Sequence, residues 1–182
     1  LKIIFFLIII LYHSTSYSKA TVSNNFNYRY LSNYFSALLS YDNQQNDIAI
    51  KFFESSKPLI VKHDNYLKKY VFSLITAGQV EKGIRQAKHW KNNANSNFFE
   101  AKLLLVLDSM SRKNFTNSEK ILNELKLYKT NDTYELIIYE TVNIYNSLFL
   151  NKKIKKTEQD FGNLSLITSA FQNCYLNLDL TK

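Results

Sequence analysis

The sequence predicts an all-α protein, an α-solenoid of antiparallel helical hairpins, and three observations lead there. Composition is the first: 46% of the 182 residues are hydrophobic, yet there are only 3 Gly and 1 Pro. Sheets need turns, and turns draw on Gly and Pro, so this scarcity favours helices joined by short Asn, Asp and Lys loops. The second is apolar residues recurring at helical spacing between polar breaks. The third is a recurrence of small residues 34 and 35 positions apart, the mark of a stacked repeat.

The first element is an address. Residues 1–20 carry Lys2, an unbroken apolar run from Ile3 to Tyr12, and a polar stretch ending Ser18-Lys19-Ala20. Small residues at 18 and 20 fit a signal-peptidase site, so cleavage is expected after Ala20 and the mature chain in the periplasm. Ten apolar residues at about 1.5 Å each cover only half of a hydrocarbon core of about 30 Å, so a permanent membrane anchor is the weaker reading. Removing Lys2 and Lys19 from the 23 basic groups leaves 21 against 15 acidic ones, a net of +6. These charges are interspersed, and the densest run, Lys152 to Lys156, reads as a solvated linker.

After a loose lead-in over 21–27, Tyr30, Leu31, Tyr34, Phe35, Leu38 and Leu39 share one helical face. A break at 42–46 precedes a second helix marked by Ile48, Phe52 and Phe53 and capped by Asn46 or Asp47. The plan repeats: Asn65 to Ala77 stops at Gly78, and Val80 to Trp90 is its partner. Phe98 to Arg112 precedes a break at Lys113-Asn114, then Phe115 to Tyr128, where Thr116 and Glu119 have capping-box spacing. Thr133 to Leu150 is a long helix, and Leu164 to Leu178, opened by Gly162-Asn163, is the last. The hairpins therefore span about 28–60, 64–91, 97–129 and 133–178 of a domain covering 28–182.

Aligned on their short loops, the second helices place Ala49, Gly83 and Ser118 at one position, where a small side chain lets two helix backbones cross closely. Phe53, Ala87 and Leu122 follow four residues on. A two-helix unit of 34 residues resembles the tetratricopeptide repeat, whose pattern sets a small residue in the first helix, an alanine twelve residues later and an aromatic four further on. Ala37, Ala49 and Phe53 match all three, whereas Val71 and Val106 depart from the first and Pro58 comes early. The order of features is also similar to a group of exported bacterial tetratricopeptide proteins, through Tyr30 to Ala37 and Ala170 to Tyr175. Such chains are usually longer, so this one is expected either to be a piece of one or to have its last helix cap the array.

The resemblance implies a right-handed superhelix whose concave side is lined by the first helix of each pair. It implies a non-catalytic scaffold of the cell envelope, holding a peptide or helix of a protein partner against Tyr34, Leu38, Tyr41, Lys68, Phe72, Leu103 and Leu107. A second reading makes the chain the helical arm of a longer exported enzyme of the cell-wall muramidase type.

No chemistry stands out among the residues. His63 and His89 fall at helix boundaries without a Cys, Asp or Glu at metal-ligand spacing. Three scattered glycines build neither a phosphate loop nor a dinucleotide fingerprint. Catalytic residues, cofactors and metals are therefore expected to be none. A nucleic-acid partner conflicts with export, and membrane contact is expected only through an uncleaved signal anchor. Cys174 is the sole cysteine and is expected to be a small core residue, and Trp90 to pack against the next hairpin.

Overall fold

The computed structural model describes residues 27–90, 92, 98–127, 132–156 and 159–177. The expected signal segment over 1–20 and most of the lead-in lie outside them. The described residues are all helical: α1 Tyr28–Asp42, α2 Asn46–Ser55, α3 Asp64–Thr76, α4 Val80–His89, α5 Phe99–Ser111, α6 Phe115–Leu127, α7 Thr133–Asn151 and α8 Asn163–Tyr175, with a 3-10 turn at Lys57–Leu59. The chain is thus all-α, and each boundary falls within a few residues of its expected place.

Three turns have the same backbone. Gln44, Gly78 and Lys113 adopt the left-handed conformation, with φ of 61°, 76° and 59°. The next amide then reaches back to the carbonyl five residues earlier: Gln45 to Ser40 at 2.8 Å, Gln79 to Leu74 at 2.7 Å, and Asn114 to Ser109 at 2.9 Å. This is the Schellman arrangement, which satisfies the carbonyls left over at a helix C-terminus and turns the chain within three residues. The left-handed residues are 34 and 35 positions apart, the spacing of the small residues in the helices that follow.

Those small residues lie where backbones meet. Ala49 and Ser118 are fully buried, and Gly83 is buried with them. A Cβ on Gly83 would sit 3.2 Å from Ile75 Cγ1, closer than side chains ordinarily pack, so Ile75 would have to give by a few tenths of an ångström to admit one. Phe53, Ala87 and Leu122 are buried beneath, and Ala37, Val71 and Val106 close the same layers from the first helices.

Helices pack mainly on their neighbours in the chain, with α1 also reaching α3 and α5 reaching α7. The largest core cluster joins α1, α2 and α3 around Phe53, Tyr66, Tyr70 and Leu74. Tyr66 donates its hydroxyl proton to the Phe53 carbonyl and lies 3.0 Å from Ser56 Oγ. Burial is the main reason that its pKa is pushed up to about 12. A second cluster joins α5, α6 and α7 through Phe99, Val106, Leu122, Leu125 and Tyr139, and a third joins α4 to α5 through Ile84, Ala87, Ala101 and Leu105.

Several local expectations are corrected. The cap of α6 is Asn114, whose Oδ1 accepts from the Asn117 amide at 3.1 Å, because the helix begins at Phe115 and Thr116 is already inside it. Asn46 and Asp47 lie within the first turn of α2 rather than capping it; Gln45 holds the cap position without a side-chain bond. Cys174 is exposed. The inward row of α8 is Leu164, Thr168 and Gln172, and a residue two positions beyond Gln172 is turned by about 200° to the outside. Trp90 packs against the first cluster, on which Phe98 and Leu104 of the following pair also lie.

A left-handed backbone costs a residue with a Cβ about 1–2 kcal/mol, partly offset by the greater freedom a glycine loses on folding. Lys113→Gly is therefore expected to raise the free energy of unfolding by about 0.5–1 kcal/mol in urea denaturation followed by circular dichroism. An unchanged or lowered midpoint would contradict the strained turn.

Candidate functional site

The expected groove residues fall into two rows along the first helices. Tyr34, Lys68 and Leu103 form one, and Leu38, Phe72 and Leu107 the other, each stepping by 34 and 35 residues. Tyr34 is core and not groove lining: it is 6% exposed, with its ring stacked on Tyr66 at 5.1 Å and on His63 at 4.8 Å. Leu38, Phe72 and Leu103 are half-buried, with Leu38 against the first cluster and Leu103 against the second, while Leu107 is 46% exposed. Tyr41 is half-buried under the Lys69 ammonium, 4.8 Å from the ring centre. Lys68 pairs with Glu100 at 2.8 Å and lies over Phe98, so it ties α3 to α5. Their surface is apolar, fixed at one end by an ion pair.

A second feature was not foreseen from the sequence. Asp108 on α5 has a carboxylate only 4% exposed. Its two oxygens are shared: Oδ2 accepts from Lys88 Nζ on α4 at 2.6 Å, and Oδ1 from Arg112 Nε at 2.8 Å. Arg112 also lies 3.7 Å from Glu81 on α4. Burial alone would raise the Asp108 pKa, but the hydrogen bonds and charges of Lys88 and Arg112 outweigh it and hold the carboxyl below its ordinary range. On the neighbouring wall, Lys102 pairs with Glu124 of α6 at 2.7 Å, and Asn117 donates to Ser109 Oγ at 2.8 Å. Together these side chains line a cleft of about 510 Å³ between α4, α5 and α6.

The spacing of Asp108 and Arg112, four residues apart, is visible in the sequence, but such a pair is ordinarily a solvated surface contact. What sets this one apart is that the Asp108 carboxylate is buried and also takes Lys88 from another helix.

The basic run 152–156 is a pinned connector. Lys152 caps α7 in the left-handed conformation, donates to the Tyr175 hydroxyl and lies 4.6 Å from that ring's centre. The Lys155 amide donates to Gln172 Oε1 at 2.8 Å, and Gln172 Nε2 donates back to the Lys155 carbonyl at 3.2 Å. His63 stacks in the first core, and His89 meets Trp90 edge-on. Among the described residues, no group of three His, Cys, Asp or Glu side chains is placed to hold a metal ion. None of the described helices is long and apolar enough to cross a membrane.

Compared with known protein families, with curated proteins and with solved structures, the chain matched none.

Asp108→Asn keeps the size of the side chain and removes its charge. Because the folded pKa lies below the unfolded value of about 3.9, the charge stabilises the fold above that value and ceases to do so as pH falls through the folded pKa. Half-exposed partners limit the effect, so the variant is expected to lose about 1 kcal/mol at pH 7. The difference from the parent should shrink progressively as pH is lowered below the ordinary carboxylate range, measured by urea denaturation at pH 7 and in acid. An equal deficit at both would assign the loss to packing instead of charge.

Proposed function

We propose that this chain is a non-catalytic interaction scaffold, a tetratricopeptide-like solenoid of antiparallel hairpins coiled into a right-handed superhelix. On this reading residues 1–20 are a signal peptide removed after Ala20, and the mature scaffold works in the bacterial cell envelope. The observation that carries it is the joint recurrence, at 34 and 35 residues, of the left-handed turn position and of the buried small residue behind it. A stack built on such a repeat lays its first helices side by side. The rows at Leu38, Phe72 and Leu107 and at Lys68 and Leu103 then line one continuous surface. A partner's helix or extended peptide would be held there by burial of apolar side chains, with the Lys68 and Glu100 pair fixing register.

The test is capture from an envelope extract by the parent chain and two variants. Leu107→Asp sets a charge on the most exposed groove position, and Val80→Asp sets one on an exposed apolar residue at the start of α4. Leu107→Asp is expected to lower capture of a specific partner at least tenfold, while Val80→Asp leaves it within twofold. If all three baits retain the same proteins, the groove does not bind them.

A further inference from the structure

We infer that the cleft between α4, α5 and α6 is a second binding site, selective for acidic peptide segments that present two adjacent carboxylates. It stands on observations separate from those behind the α1, α3 and α5 groove.

Charge within the cleft is unbalanced in a way that the ion pairs leave open. Four cations line it, Lys88, Lys102, Arg112 and Lys120, against the two carboxylates of Asp108 and Glu124. Asp108 is engaged by Lys88 and Arg112 together, and Glu124 by Lys102. Lys120 has no acidic partner among the described residues. Glu81 meets Arg112 from outside the lining at 3.7 Å, too far for a good hydrogen bond. The lining therefore carries two positive charges in excess.

Those charges are also positioned. A single buried carboxylate holds the Lys88 ammonium and the Arg112 guanidinium side by side, one on each oxygen. Lys88 spends one of three N–H donors there and Arg112 its Nε, which leaves donors on both for an incoming group. Their head groups are thus ordered before any ligand arrives, and the entropy of fixing two long side chains has already been spent in folding. Ser109 has its one proton committed: it donates to the Leu105 carbonyl at 2.9 Å and accepts from Asn117, so it offers no donor to a ligand.

The occupant follows from these features. An excess of two positive charges is matched by two carboxylates. Asp108 and Glu124 stand in the same lining and repel a densely charged polyphosphate or nucleic-acid backbone more than a carboxylate spaced along a peptide. Leu105 and Ile121 give the cleft an apolar part against which the methylenes of a glutamate side chain can lie. A volume of about 510 Å³ lies within the range of ligand-binding clefts.

Fluorescence anisotropy with labelled hexaglutamate, using the full chain at low salt, tests this, with labelled hexaserine as the neutral control. Lys120→Glu cancels the excess, and Lys153→Glu makes the same change of net charge at an exposed site on the α7–α8 connector. Helical circular dichroism of both variants checks that they fold. Hexaglutamate is expected to bind with salt-sensitive affinity, hexaserine not to bind, Lys120→Glu to weaken binding at least tenfold, and Lys153→Glu by less than twofold. Equal loss in the two variants would reduce the effect to overall charge and overturn the site. So would no measurable binding of hexaglutamate, or tighter binding of pyrophosphate or an oligonucleotide in competition.

Discussion

Two helices joined by a three-residue turn must cross within a few residues of that turn, and their axes can approach to about 8 Å only where the side chain at the crossing is small. Ala49, Gly83 and Ser118 stand at that crossing in three successive pairs, each five residues beyond a left-handed turn position. The turn and the crossing are two halves of one constraint. The Schellman bonds fix where the second helix starts, and the small residue fixes how close it lies. Phe53, Ala87 and Leu122 then fall one turn further into the interior, and the core clusters form around them. Enlarging the crossing residue would push the second helix outward and open that layer.

Much of this was legible in the sequence, because small and apolar residues announce burial by type and spacing. The helices, the breaks and the 34–35-residue recurrence were all readable there. The left-handed turn positions were readable only at Gly78. Gln44 and Lys113 hold the same backbone without a residue type that advertises it. Caps were misread where several polar residues cluster. Asn114, Thr116 and Asn117 all suit a helix start, and only the position of the first turn decides among them. Cys174 is hard to place because the inward row of α8 carries the polar Thr168 and Gln172 while Leu166, Ile167 and Phe171 are exposed, so residue type does not mark the buried side.

The candidate surfaces differ in the same way. The two rows on the first helices follow from the period alone, so their membership could be listed in advance, but depth within a row could not. Tyr34 leads its row and is nevertheless core, because His63 and Tyr66 arrive from beyond the 3-10 turn to stack on it. The charged cleft was invisible because it needs α4 to deliver Lys88 to a carboxylate on α5 and α6 to deliver Glu124 to Lys102. Lys88–Asp108 joins consecutive helix pairs, whereas Lys102–Glu124 joins the two helices of one pair.

The central claim is that equivalent residues one repeat apart advance in a single direction. Spin labels at Lys51→Cys, Arg85→Cys and Lys120→Cys, taken in pairs in a Cys174→Ser background, occupy the same exposed position two residues beyond each small crossing residue. Pulsed electron resonance distances are predicted to be similar for the 51/85 and 85/120 pairs, and longer for 51/120 by about one helix layer, ~10 Å. A 51/120 distance no longer than the other two would mean that the pairs fold back on one another, and would contradict the array.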